Sequence, residues 1–242
     1  MVLRAPSEIG GYVLAGGKSS RMGRDKALLV LAGKPLILRA VQKLQRVCKE
    51  VHVLSASSQL GLYAPLVQDR IKGCGPLGGI DAGLGHSRFD WSLFIPVDMP
   101  FFPSAFLEYW IRKVVLARQE SGARIALFSV EGVPQPAMCL LHREVVPYVR
   151  EAVEAGRYRL FPVLEGAGRD LAARDGFDLE RVFLNRSWSE MSSFSTASGV
   201  AEEEAGLKLT EAQRAAKRLW FANLNTPEDF AEAEKHLSAL DP

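Results

Sequence analysis

A short stretch near the start of the chain combines adjacent glycines with several basic side chains. The residues are Gly16, Gly17, Lys18, Arg21, Arg24 and Lys26. A glycine-broken turn after a strand exposes backbone N–H groups that can bind an anion. The cations add positive charge at the same place. Because a phosphate group would satisfy both, the stretch predicts a phosphate-bearing ligand.

Two oxygen-bearing side chains later in the chain have the chemistry of magnesium ligands. Asp98 follows the apolar run 91–97, and Asn225 begins the sequence Asn-Thr-Pro-Glu-Asp. Mg²⁺ prefers oxygen and is usually held by one or two carboxylates together with substrate phosphates. Asp98 also suits a turn in which it bonds its own backbone, and Thr226 with Pro227 also predicts a helix start. Together with the glycine-rich stretch, they favour a metal site.

The elements that must position these groups follow from hydrophobic patterning. Strands are predicted at 9–14, 51–54, 66–68, 91–97, 125–130 and 137–141, and helices at 36–47, 78–84, 103–117 and 144–155. Their alternation predicts an α/β fold with a doubly wound, mostly parallel sheet flanked by helices. Ligands of such sheets lie beyond the carboxyl ends of the strands. The glycine-rich stretch, Ser55, Asp69 and Asp98 are therefore expected to share one cleft.

Length and composition limit the class of protein. The 242 residues, 48% hydrophobic and 24% charged, suit one domain over 1–242,. The serine-rich and acidic segment at about 187–217 is predicted to be an insertion, either a surface loop or a substrate lid. A net charge of +2 gives no case for nucleic-acid binding,.

The compartment is also predicted from composition. The chain has no apolar run long enough for a membrane span and no signal-peptide core,. Its three cysteines are widely spaced and lack a CxxC motif, which favours a reducing cytoplasm,.

The glycine-rich stretch also carries a family resemblance. Residues 14–26, L-A-G-G-x-S-x-R-M-G-x-D-K, resemble the signature loop of nucleotidyltransferases that build sugar nucleotides and cofactor dinucleotides. Among these the chain is most similar to the molybdenum cofactor guanylyltransferases. Later landmarks occur in the same order, namely Asp69, GPLGG at 75–79, PVDMP at 96–100, QPA at 135–137 and NLNTPED at 223–229. The resemblance covers about 8–185 and 220–240.

The resemblance implies an activity and a set of site residues. A molybdenum cofactor guanylyltransferase transfers GMP from GTP to molybdopterin, releases pyrophosphate and forms the guanine dinucleotide cofactor. Asp98 and Asn225 would hold Mg²⁺, and Arg21 and Lys26 would bind the triphosphate. The remaining nucleotide contacts would come from Leu14, Ala15, Gly16, Gly17, Ser55 and Asp69. Molybdoenzymes or cofactor-delivery proteins are the protein partners that the resemblance suggests.

Several alternatives stay open at this level. A cytidylyltransferase or a sugar-1-phosphate nucleotidyltransferase would have the same fold, and a non-catalytic GTP-binding module would share the glycine-rich stretch. The family often has asparagine where this chain has Ser55, whose side chain has a shorter reach. The Asp69 carboxylate would suit hydrogen bonds from guanine or from ribose hydroxyls, and Asp69 would equally suit a purely structural turn at a strand end.

Overall fold

A computed structural model of the chain describes residues 9–16, 25–187 and 207–241. Seven of its strands form one sheet: β1 (Ile9–Leu14), β4 (Glu50–Leu54), β5 (Leu66–Val67), β6 (Trp91–Pro96), β7 (Ile125–Val130), β8 (Val133–His142) and β9 (Phe183–Ser187). The order is β5-β4-β1-β6-β8-β7-β9. All neighbouring pairs are parallel except those of β8, which runs antiparallel to β6 and β7. The predicted mostly parallel sheet is confirmed.

The helices cover both faces of this sheet. They are α1 (Leu36–Gln45), α2 (Pro76–His86), α3 (Ser104–Ser121), α4 (Val146–Glu154), α5 (Leu160–Asp175), α6 (Leu179–Val182), α7 (Glu211–Ala215) and α8 (Pro227–Ala233). A small antiparallel hairpin, β2 (Val30–Leu31) with β3 (Lys34–Pro35), precedes α1.

Alternation along the strands separates two apolar cores. In β6, Leu93 and Ile95 point to the core that includes side chains of α1 and α3, whereas Phe94 points to the core that includes α2, α4 and α5. Both faces of a central strand are therefore buried, as expected for a doubly wound sheet.

The structure adds elements that the patterning did not predict. Helix α5 and strand β9 were missed, and β8 begins four positions earlier than expected. Helix α5 contains Gly166 and Gly168, which lower intrinsic helix propensity. A Cβ at Gly168 would lie 3.0 Å from the Cβ of Phe183, so close packing of α5 on β9 requires this glycine. Tertiary packing overrides propensity here.

The predicted insertion at 187–217 is described only at its ends. Residues 188–206 lie outside the described residues, so the surface-loop and lid hypotheses stay predictions. The later end contains α7, which Thr210 and Gln213 begin with a reciprocal capping box. Within the described ranges, no helix has the length and apolar character needed to cross a membrane.

Candidate active site

Three predicted site residues meet beyond the carboxyl edge of the sheet. The Lys26 Nζ donates to Asp98 Oδ2 at 2.5 Å and to Asn225 Oδ1 at 2.6 Å. The side chains of Lys26 and Asp98 are 18% and 19% exposed, so the pair is accessible to a ligand. The three side chains, distant in the sequence, therefore lie together in the structure. Their roles as site residues stay predictions.

Lys26 is placed by a short 3₁₀ turn, Lys26–Leu28. Asp25 caps this turn, because its Oδ1 accepts from the backbone N–H of Ala27 at 3.1 Å. Ala27 is buried and anchors the turn in the core beside α1. Asp25 therefore orients Lys26 through the backbone. Arg21 and Gly17 fall in 17–24, outside the described residues.

Asp98 and Asn225 are tied to each other through the backbone. Asp98 follows β6, whose continuation is fixed by a hydrogen bond from the N–H of Val97 to the Leu14 carbonyl at 3.1 Å. The carbonyl of Asp98 then accepts from the N–H of Leu224 at 3.0 Å. This contact sets Asn225, the next residue, beside the end of the strand.

The start of α8 fixes Asn225 further. Asp229 Oδ2 accepts from the N–H groups of Asn225 and Thr226, each at 2.8 Å, and Thr226 Oγ1 accepts from the N–H of Asp229 at 3.1 Å. These bonds, first among them that from Asn225, lower the pKa of Asp229. The predicted helix start at Thr226 and Pro227 is confirmed.

The backbone of Leu14, Ala15 and Gly16 forms the neighbouring wall of the site. Ala15 N–H donates to the Leu54 carbonyl at 3.2 Å, which extends the β1–β4 pairing past the strand end. A Cβ at Gly16 would lie 3.8 Å from the same carbonyl, an ordinary contact. Packing against the described residues therefore does not require glycine at this position.

Ser55 and Asp69 follow the ends of β4 and β5. Ser55 is buried, and its Oγ accepts from the N–H of Ser57 at 3.1 Å, as in a turn-forming serine,. Burial raises the pKa of Asp69, and the charge of Asp81 raises it further. A Cβ at Gly78 would come within 3.0 Å of Asp69 Oδ2, so Gly78 permits the carboxylate to lie against the start of α2.

Two arginines that were not singled out from the sequence pair with Asp81, whose charge acts on Asp69. Arg70 Nε lies 3.0 Å from Asp81 Oδ2, and Arg150 Nε lies 3.4 Å from Asp81 Oδ1. Asp81 is buried on α2, so it needs such partners,. A charged residue on the otherwise apolar α2 was the available sequence signal.

The fold and this grouping define the class. In a doubly wound sheet the carboxyl edge is where ligands bind, and here it brings together a lysine, a carboxylate, an amide oxygen and the backbone of residues 14–16, which suits a nucleotide with its phosphates,. The chain matches the family described as MobA-like NTP transferase domain over residues 11–170. It belongs to this family of nucleotidyltransferases.

Known relatives extend the similarity beyond that range. A molybdenum cofactor guanylyltransferase of Rhizobium leguminosarum is 31% identical over 239 residues, covering 97% of this chain and 95% of the relative. One of Serratia proteamaculans is 33% identical over 177 residues, covering 70% of this chain and 85% of the relative. The crystal structure of molybdopterin-guanine dinucleotide biosynthesis protein A from Archaeoglobus fulgidus shares the fold, with a TM-score of 0.66, 20% identity and coverage of 96% and 100%.

Proposed function

We propose that this protein transfers GMP from GTP to molybdopterin, releasing pyrophosphate and forming the guanine dinucleotide cofactor. The observation that carries the proposal is the meeting of Lys26, Asp98 and Asn225 at the carboxyl edge of the sheet. The near full-length similarity to a molybdenum cofactor guanylyltransferase supports the choice of substrates.

The donor atoms at this edge suit Mg²⁺. Asp98 Oδ1 is buried and makes no hydrogen bond with the described part of the chain. Asp98 and Asn225 together offer the hard oxygen ligands that this ion prefers. The described segments contain no group of three or more His, Cys, Asp or Glu side chains suited to a metal. A site with few protein ligands fits an ion that is also held by substrate phosphates. When bound, Mg²⁺ would supply charge neutralisation to the triphosphate.

The nucleophile in this reaction belongs to the substrate. A terminal phosphate oxygen of molybdopterin attacks the α-phosphorus of GTP and forms a new P–O bond. The bond from the α-phosphorus to the oxygen that bridges to the β-phosphorus breaks, and pyrophosphate leaves with that electron pair. The protein aligns the terminal phosphate of molybdopterin with the α-phosphate of GTP, and it stabilises the negative charge that develops.

Lys26 and Arg21 are assigned to that charge. The Lys26 ammonium already lies at the edge where the phosphates would be placed, and a fixed cation there stabilises a departing pyrophosphate,. Arg21 would add a planar fork for phosphate oxygens. The backbone of Leu14, Ala15, Gly16 and Gly17 would approach the purine nucleotide closely, with Ser55 and Asp69 contributing to base or ribose contacts.

An assay with competing substrates tests the proposal. The pure chain is incubated with molybdopterin and either Mg-GTP or Mg-CTP, and both pyrophosphate and dinucleotide are measured. We expect pyrophosphate and guanine dinucleotide from GTP only. Transfer from CTP, or transfer to a sugar 1-phosphate in place of molybdopterin, would show another nucleotidyltransferase. Tight GTP binding without pyrophosphate release would show a non-catalytic module.

We place this reaction in the cytoplasm. All three cysteines, Cys48, Cys74 and Cys139, are unpaired, which is in keeping with a reducing compartment,. The product is a cofactor, so molybdoenzymes or cofactor-delivery proteins are the partners that we propose to receive it.

A further inference from the structure

A lysine is buried in the apolar face of α1. Lys43 is 3% exposed and lies on the same helix face as Leu36, Ala40 and Leu44. A buried ammonium is costly unless hydrogen bonds and opposite charge compensate it. The groups that contact the Lys43 ammonium therefore indicate why a lysine occupies this buried position.

The Lys43 ammonium is directed at one loop, residues 98–103, which we call the Asp98 loop. Its Nζ donates to the carbonyl of Pro100 at 2.9 Å and to that of Phe102, with a longer contact of 3.5 Å to the carbonyl of Met99. An ammonium has three N–H donors, and here they face three carbonyls of a single loop.

These carbonyls have little access to water. Met99, Phe101 and Phe102 are all buried in the core that α1 and α3 share. Buried carbonyl groups need partners, and Lys43 supplies them where Pro100 and Pro103 interrupt the backbone donors,. The conformation of the Asp98 loop therefore depends on this side chain.

Lys43 completes the attachment of Asp98. The sheet holds the residue before Asp98 through the Val97–Leu14 bond, and Leu224 holds the Asp98 carbonyl. The residues after Asp98 are held by Lys43. The carboxylate thus projects from a loop that is fixed on both sides.

The surrounding charges are compatible with this role. Burial lowers the pKa of Lys43 to about 8, an effect that the carboxylate of Asp241 opposes and that Arg39 of α1 and Arg46, directly after α1, reinforce. Asp241 also accepts from the N–H of Ser104 at 3.0 Å, at the start of α3. Asp241 therefore fixes the C-terminal end of the Asp98 loop, where α3 begins.

We propose that Lys43 is a positioning residue, whose buried ammonium shapes the Asp98 loop and thereby holds the Asp98 carboxylate at the metal–nucleotide site. The proposal rests on the proposed function, because it assumes that Asp98 binds the metal of a nucleotide complex. Replacing a residue that orients a metal ligand without binding the metal itself commonly lowers metal affinity by about 10- to 100-fold.

The test measures binding of Mn²⁺ with GTP to the full chain by electron paramagnetic resonance. Lys43→Met keeps the apolar stem and removes all three donors, and we expect affinity for Mn²⁺ to fall by about 10- to 100-fold. Lys43→Arg keeps the charge but spreads its donors over a planar fork, so we expect a smaller loss. Val149→Ala, in the core on the other face of the sheet, is the control for general destabilisation.

The outcomes separate the two proposals. Weaker Mn²⁺ binding in folded Lys43→Met, with wild-type binding in Val149→Ala at a similar loss of thermal stability, supports the positioning role. Wild-type Mn²⁺ binding in a folded Lys43 variant overturns the positioning role. If Lys43→Met does not fold, the Mn²⁺ affinity of Lys43→Arg is the deciding measurement. If Asp98→Asn also binds Mn²⁺ with GTP like the wild type, the metal role of Asp98 fails and the Lys43 proposal falls with it, whereas the transfer reaction itself is decided by the assay with Mg-GTP and Mg-CTP. If Asp98→Asn loses binding and the Lys43 variants keep it, the Lys43 proposal alone is wrong.

Discussion

The ammonium of Lys26 lies 2.5 Å from Asp98 Oδ2, although 72 positions separate the two residues in the chain. Both side chains are largely buried, 18% and 19% exposed, and an ion pair in such a place is weak evidence for stability because the cost of desolvation offsets the attraction. Asn225, a further 127 positions away (225 − 98), joins the same ammonium. Such convergence of sequence-distant groups at an accessible edge is better explained by ligand chemistry than by stability.

Replacing Lys26 by Met should separate two effects. Transfer activity should fall by roughly 10²-fold, because a cation that stabilises the phosphate charge is lost. Binding of Mn²⁺ in the absence of nucleotide should become tighter, because a positive charge beside the Asp98 carboxylate is removed. Pyrophosphate release measures the transfer activity, and titration with Mn²⁺ measures the metal affinity. Lys34→Met, in the β2–β3 hairpin, is the control, and weaker Mn²⁺ binding in Lys26→Met would contradict the electrostatic argument.

Asp98→Ala should abolish turnover and leave the fold intact. Asp98 lies at the accessible end of β6, so the sheet does not depend on its side chain. The matched control is Asp90→Ala, since Asp90 precedes the other end of the same strand and is 67% exposed in its side chain. Steady-state pyrophosphate release and circular dichroism are the measurements. Full activity in Asp98→Ala would refute the metal assignment.

Asp229→Ala should weaken metal binding without removing a metal ligand. The Asp229 carboxylate accepts from the N–H groups of Asn225 and Thr226, so its loss frees the backbone that aims the Asn225 amide. We expect about tenfold weaker binding of Mn²⁺ with GTP. Glu228→Ala changes the neighbouring acid of the same first turn, which is not part of the capping box, and should bind normally. Equal losses in both variants would indicate a general charge effect instead.

Asp69→Asn should raise stability at neutral pH while it weakens GTP binding. Burial and Asp81 raise the pKa of Asp69, so the folded chain holds that proton more tightly than the unfolded chain. Ionised Asp69 therefore destabilises the fold above the raised pKa, and this cost disappears as the pH falls through it. Thermal melts from pH 7 downward should show a stability gain in Asp69→Asn that narrows with acidity.

The control for this comparison is Asp170→Asn on the exposed side of α5, for which we expect no comparable change. A lower melting temperature of Asp69→Asn at pH 7 would contradict the assigned direction. Unchanged GTP affinity would leave Asp69 as a residue of the turn before α2.

Local patterns predicted much of the architecture because they depend on short-range physics. The bounds of β1 and β7 were predicted as found, and the start of α8 follows from Thr226 and Pro227. Helix α5 was missed because its glycines lower local propensity, and packing on Phe183 compensates for them. Lys43 was missed because a lysine in an amphipathic helix is normally solvated.

The sequence by itself determined which chemical groups are present and where strands and helices alternate, since residue type and periodicity are local properties. Only the tertiary structure decided which groups meet. Lys26 reaches Asp98 and Asn225 because parallel strands end at one edge and the Leu224 backbone bond returns the chain to it. Whether a buried lysine serves the core or the site likewise depends on the carbonyls that the fold brings to it, as Lys43 and the Asp98 loop show.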